Sequence, residues 1–200
     1  MPAPATEPWS TGARRPAKRA APPAALALQR SDRGVVLVVD DQAVNRAVLS
    51  AQASAMGFGQ VIQAACGDAA VAAFAAASGA RPAIAAVLLD LQMPGTDGWA
   101  AAEGIRALEA LRGGGRRCVI VACTAAALDG DVPRRDSAAA AGCAPSGCAG
   151  PVAPMTLRAF TLACGADAVV SKPIPTVELA RVVHGLLQRP AFAVACEAAA

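Results

Sequence analysis

Val35-Val36-Leu37-Val38-Val39 is five apolar residues in a row, four of them β-branched, with no polar residue between them. A strand with one wet face alternates with period two, so an unbroken run reads as a strand covered on both faces. That segment restricts the chain to folds in which helices lie on either side of a parallel sheet. The texture returns at 84–89 and at Cys118-Val119-Ile120-Val121-Ala122, and in shorter form at Val61-Ile62 and Ala168-Val169-Val170. Helix-prone segments separate the runs. Residues 43–56 carry Val44, Val48, Leu49 and Met56 at helical spacing, and 68–79 are Ala-rich. Residues 99–112 put Ile105, Leu108 and Leu111 on one face before Gly113-Gly114-Gly115, and Val177 to Leu187 is amphipathic and ends before Pro190. Strand–helix alternation of this kind predicts a doubly wound, five-stranded parallel sheet in an α/β domain.

The flanks have a different character. Residues 1–33 hold Pro2, Pro4, Pro8, Pro16, Pro22 and Pro23 among Ala, Arg and Ser, and are expected to be a disordered tail or linker. An organelle transit peptide is the alternative reading of this basic segment. Residues 34–190 form the expected domain, and 191–200 a C-terminal tail. Net charge is only +3, much of it from Arg14, Arg15, Lys18 and Arg19, so direct nucleic-acid binding is not expected. No stretch is apolar enough for a membrane span. The seven cysteines contain no CxxC pair, which argues against zinc, and their odd number suits a reducing compartment. Cys118 and Cys123 lie in apolar runs and read as core residues. A cytoplasmic location is expected, with nucleus or organelle as alternatives. Oligomeric state is not legible.

The polar residues at the strand ends carry the chemistry. Ligand crevices of open parallel sheets lie beyond the carboxyl ends of the strands. Asp40 and Asp41 follow the first run, Asp90 the third, Thr124 the fourth and Lys172 the fifth. Three carboxylates converging on one rim repel one another. A hard divalent cation such as Mg²⁺, together with a lysine, resolves that conflict. A carboxylate so placed can attack a phosphoryl group, with metal and cation spreading the charge. Taken alone, Asp40-Asp41 reads equally well as a helix N-cap pair; the joint placement gives the stronger reading.

Four fragments in order, "VVDD" at 38–41, "DLQMPGTDG" at 90–98, "ACTA" at 122–125 and "SKP" at 171–173, resemble the receiver domain of two-component response regulators. With "VDDQAVNR" at 39–46 the wording is similar to receivers of hybrid histidine kinases. The resemblance implies a flavodoxin-like sheet and a phosphorelay role: Asp90 accepts a phosphoryl group from a histidine kinase or a histidine phosphotransfer protein. It also implies that Asp41 binds Mg²⁺ directly, Asp40 largely through water, and the backbone carbonyl of Gln92 completes the protein ligands with Asp90. Thr124 would be the switch hydroxyl, Lys172 the phosphate-sensing cation, and the Lys172–Pro173 bond cis. The receiver would catalyse only its own phosphorylation and dephosphorylation and would not be a turnover enzyme.

Two departures stand out. The family's aromatic three residues before the lysine is Val169 here, and Thr124 and Lys172 stand 48 positions apart, which is about 25 more than one helix and its loops need. The excess falls in 131–160, a low-complexity, Ala/Gly/Pro-rich excursion with Ala138–Ala141 as its helix-prone part. These departures motivate an alternative, a pseudo-receiver that binds without switching. A metal-dependent phosphohydrolase is the third reading, weakened by Gln92 where such enzymes usually place a second Asp. His184 reads as a packed helix residue, and Trp99 as half-buried packing.

Overall fold

The computed structural model describes residues 34–77, 83–113, 117–129 and 156–192. In chain order these are β1 (Val35–Val39), α1 (Ala43–Ala55), β2 (Gln60–Ala64), α2 (Gly67–Ala76), β3 (Ile84–Asp90), α3 (Gly98–Leu111), β4 (Val119–Thr124), α4 (Leu157–Ala163), β5 (Ala168–Ser171) and α5 (Thr176–Leu187). One sheet holds all five strands in the order β2-β1-β3-β4-β5, every pair parallel. The order follows from connectivity. Each crossover carries a helix, and the chain reverses its winding direction after β2, so β1 and β3 are neighbours with helices on opposite faces.

The alternating side chains of the unbroken runs feed two cores. Val35, Leu37 and Val39 point to the face covered by α2, α3 and α4, where Phe74, Trp99, Ile105 and Leu157 are buried. Val36 and Val38 point to the face covered by α1 and α5, meeting Leu49, Ala53, Leu179 and Val183. With so few aromatics, close packing of Val, Leu, Ile and Ala has to supply the stability, each large side chain contributing about 1.5–3 kcal/mol. The sheet edge away from the acids has a polar fastening as well. The Arg106 guanidinium donates to Glu109 and Asp167 at 2.6 Å each, and to the carbonyls of Cys118 at 3.0 Å and Gly165 at 2.8 Å. It thereby ties α3, β4 and the turn into β5 together.

The predicted elements are all present, with ends shifted by a few residues. Three expectations are corrected. Val44 and Val48 lie in α1 but face solvent, and the buried stripe is Leu49 and Ala53, which follow a different side of the helix. Leu111 is exposed, because α3 ends there and Ile105 anchors its inner face. Leu157–Phe160, assigned to the low-complexity excursion, open α4; Leu157 is buried and Phe160 packs edge-on to Trp99 at 5.9 Å. The rest of that excursion, including Ala138–Ala141, lies outside the described residues, as do most of both tails.

Gly98 sets the distance between α3 and β3. A Cβ at this position would collide with the carbonyl oxygen of Asp90, which leaves no room for any side chain. The Gly98 amide also donates to the Leu91 carbonyl at 3.1 Å, and Asp97 caps α3 by accepting from the Ala100 amide at 2.9 Å. Gly98→Ala should therefore lower unfolding free energy by about 3 kcal/mol or more, read from urea unfolding curves at constant m-value.

Candidate phosphoacceptor and metal site

Parallel register brings the acids to one rim. Val39 pairs with Leu89 on β3, so Asp40 lies abreast of Asp90, while Asp90 itself pairs with Cys123 on β4. Thr124 pairs with Ser171 on β5, and the Lys172 amide donates to the Thr124 carbonyl at 2.7 Å. That contact turns the lysine back over the strand ends. Its ammonium bridges Asp40 Oδ2 at 2.6 Å and Asp90 Oδ2 at 3.0 Å. Asp41 completes the cluster: one carboxylate oxygen each from Asp40, Asp41 and Asp90 lie within 4.8 Å of one another. Asp40 is fully buried, Asp90 nearly so, and Asp41 exposed.

The environment explains the electrostatics. Burial pushes the Asp90 carboxyl above its ordinary range, outweighing the Lys172 hydrogen bond that opposes the shift; Asp40 adds repulsion. Burial alone would lower the Lys172 ammonium, but its hydrogen bonds to Asp40 and Asp90 raise it. Three carboxylates and one ammonium leave a formal charge of −2 on the rim. The donors are all oxygen, with one face open at Asp41. This set fits a hard divalent cation that keeps several waters, such as Mg²⁺.

Supporting groups hold the cluster in shape. Asp40 Oδ1 accepts from the Gln42 amide at 2.9 Å and from Asn45 Nδ2 at 3.1 Å. Arg46 donates to the backbone carbonyls of Asp40 at 2.7 Å and Asp41 at 3.0 Å, fixing the turn that presents both acids. Sequence reasoning gave Asn45 and Arg46 no role. The available signal was their place in the first turn of α1, directly after the acids. Thr124 is buried, and its Oγ1 accepts from the Ala126 amide at 3.1 Å. The Gln92 amide faces Asp90 Oδ1 at 3.4 Å, a long contact. The Lys172–Pro173 bond is cis. Trp99, expected half-buried, is fully buried, and its indole N–H donates to Thr161 Oγ1 on α4 at 2.9 Å.

A doubly wound sheet that gathers an acid trio, a buried hydroxyl and an ammonium beyond the carboxyl ends of its strands has its candidate site where open parallel sheets bind ligands. The model of the response regulator receiver domain matches residues 36–143, and the chain belongs to that family, the receiver domains of two-component signalling. No curated protein matches the sequence. The fold is similar to the Mg²⁺-bound receiver domain of the histidine kinase CKI1 from Arabidopsis thaliana, at 23% identity and TM-score 0.55, covering 78% of this chain and 92% of that one. It is also similar to a sensor histidine kinase receiver domain from Pseudomonas aeruginosa, solved with a magnesium ion in its active-site cleft. There identity is 28% and TM-score 0.52, over 76% of this chain and 95% of that one. A third likeness is to a chain of the CheX–CheY–BeF3–Mg²⁺ complex from Borrelia burgdorferi, at 20% identity and TM-score 0.56, over 78% and 90%. Among the described residues, no helix is long and apolar enough to cross a membrane.

Three measurements check the electrostatics. Above pH 3.8, the ordinary value for the carboxyl, the unfolded chain ionises Asp90 while the folded chain still holds the proton, so wild-type stability declines over that interval. Asp90→Asn removes the loss and should raise Tm by about 2–4 °C per kcal/mol at neutral pH without divalent ions, with no gain below pH 3.8. Adding Mg²⁺ at about ten times its dissociation constant should stabilise wild type by about 1.4 kcal/mol and should not stabilise Asp90→Asn to the same extent. At the alkaline end the sign is opposite. The stability that Lys172 contributes is complete below its unfolded value of 10.5 and is lost as pH rises through the higher folded value. Lys172→Met should flatten that limb of a pH–Tm profile.

Proposed function

We propose that this chain is a phosphorelay receiver that takes a phosphoryl group from a phosphohistidine onto Asp90 with Mg²⁺. The observation that carries the reading is the Asp90 carboxylate at the end of β3, held 3.0 Å from the Lys172 ammonium and clustered with Asp40 and Asp41. Asp41 would hold the metal directly, Asp40 largely through water, and Asp90 and the Gln92 backbone carbonyl would complete the protein's share. When bound, the cation neutralises the clustered carboxylates and the phosphoryl oxygens.

In the transfer an Asp90 oxygen forms a bond to phosphorus as the phosphorus–nitrogen bond of the donor breaks. The electron pair of that bond leaves with the imidazole, which is protonated. Lys172 trades its contact with Asp90 for a phosphoryl oxygen while Asp40, at 2.6 Å, keeps the ammonium at the rim. Thr124 supplies a hydroxyl hydrogen, since the Ala126 amide already occupies one of its lone pairs. A phosphoryl group of charge near −2 draws both groups inward and biases the surface that follows β4. The partner is a histidine kinase or a histidine phosphotransfer protein, and the chain catalyses only its own phosphorylation and hydrolysis.

Val169 favours a second reading. It is buried in the core under α4, where the receiver resemblance expects an aromatic. A valine has no ring to rotate, so acceptance of phosphate without a conformational readout is the pseudo-receiver outcome. Incubation with Mg²⁺ and labelled acetyl phosphate separates the readings. Asp90→Asn should carry no label, and Asp97→Asn should keep it, because Asp97 caps α3 and is not one of the three clustered acids. Label on Asp90→Asn would defeat the proposal. Labelling of wild type without any change in hydrogen exchange over 119–128 would leave the pseudo-receiver.

A further inference from the structure

The loop between β3 and α3 carries Gln92 past the Asp90 carboxylate, and its two ends meet where the Gly98 amide donates to the Leu91 carbonyl at 3.1 Å. Leu91 and Met93 are buried and anchor its first half, whereas Pro94 and Gly95 are exposed. The second half is held from outside, by α2. The Thr96 carbonyl accepts from the Gly67 amide at 3.2 Å, and Thr96 Oγ1 donates to Asp68 Oδ1 at 2.7 Å. Gly67 makes the approach possible, because a Cβ there would stand 2.5 Å from the Thr96 carbonyl oxygen and 2.6 Å from Thr96 Cγ2.

The exchange runs both ways. Cys66, the N-cap of α2, makes no side-chain cap bond, and the loop's carbonyl serves one of the amides at the open start of the helix. The helix in turn offers a carboxylate to the loop's hydroxyl. Its base is firm, because α2 packs tightly on α3: Val71 Cγ2 lies 3.0 Å from where a Cβ of Gly104 would stand. At the far end of the same helix pair Arg112 donates to the Phe74 carbonyl at 3.2 Å. Asp68 is not one of the clustered acids Asp40, Asp41 and Asp90. An acid in the first turn of a helix also suits the helix dipole, but that explains neither the bare Gly67 nor the bond to Thr96.

We propose that Asp68 and Thr96 are positioning residues for the metal site: their hydrogen bond, closed over Gly67, holds the loop so that the Gln92 backbone stays at the Asp90 carboxylate. The Gln92 amide stands 3.4 Å from Asp90 Oδ1, a long contact that a small loop shift breaks. The proposal rests on the receiver reading, in which the Gln92 carbonyl completes the protein's share of the Mg²⁺ ligands. Neither Asp68 nor Thr96 is asked to touch the cation. Groups that orient metal ligands without binding the metal commonly change its affinity by about tenfold or more when removed.

The test titrates the full chain with Mg²⁺ by calorimetry at about 0.15 M ionic strength, where exposed charges more than about 8 Å apart are screened. Amide hydrogen exchange of the metal-free protein runs beside it. Asp68→Ala and Thr96→Val should each bind Mg²⁺ about tenfold more weakly than wild type. In both, the Gly67 and Gly98 amides, which bond the loop's carbonyls, should exchange about tenfold faster. Asp68→Asn drops the charge but keeps an acceptor oxygen, and should stay within about twofold of wild type. Arg112→Ala loosens the same two helices at their other end and should leave the dissociation constant unchanged. With wild type binding Mg²⁺ and taking label from acetyl phosphate, unchanged affinity or unchanged exchange in Asp68→Ala and Thr96→Val would overturn this proposal alone. Asp68→Asn as weak as Asp68→Ala would assign the effect to charge, and Arg112→Ala as weak would assign it to general loosening; either result overturns the proposal. Wild type that neither binds Mg²⁺ nor takes label would remove the receiver reading and this inference together.

Discussion

The Lys172 ammonium lies between two carboxylates that could not otherwise share the space. Asp40 is wholly buried and Asp90 nearly so, and each on its own would be an expensive charge. At 2.6 and 3.0 Å the lysine pairs with both, although at Asp90 burial still outweighs it. It reaches them because the Lys172 amide is fastened to the Thr124 carbonyl at the end of β4. The bridge joins β1, β3 and the turn after β5, three segments far apart in sequence. The correct register of the whole sheet is therefore a condition for the charge pattern at its rim, and a one-residue slip would scatter it.

Around that bridge the residual negative charge is deliberate in its geometry. Asn45 and the Gln42 amide occupy one oxygen of Asp40, and Arg46 holds the carbonyls of the acidic pair, while Asp41 remains exposed. The inner acid is thus committed to structure and the outer one is left open. On the other side, Gly98 brings the start of α3 against the Asp90 carbonyl and closes the loop beneath the acid. Trp99, next in sequence, then anchors α4 through Thr161 and Phe160. A continuous set of contacts runs from the acid-bearing loop to the helix that precedes β5.

The strands were legible because full burial on both faces leaves a sequence mark, an apolar run with no alternation. The rim residues were legible because an acid, a hydroxyl or an amine follows four of the five runs in order, although Asp40-Asp41 alone reads equally well as a helix cap. Three things were hidden for physical reasons. Helix α4 spans only seven residues after an Ala/Gly/Pro-rich stretch, too short to display a period, and its burial comes from a tertiary partner, Trp99. Val44 and Val48 obey helical spacing yet point outward, because two branched residues on a stripe do not reveal which stripe faces the sheet. Asn45 and Arg46 act on a neighbouring side chain and on backbone carbonyls, interactions that depend on the turn's shape rather than on any spacing.

Cys123 stands beside Asp90 in the sheet, one strand over, with its sulfur turned into the core shared with α1 and α5. Burial pushes its thiol up to about 12, so at neutral pH it carries no negative charge and donates weakly to the Val121 carbonyl at 3.7 Å. Soft ions such as zinc and copper(I) are captured by thiolates. With that sulfur turned into the core, the acid cluster at the rim is an all-oxygen donor set, the kind that suits hard cations rather than soft ones.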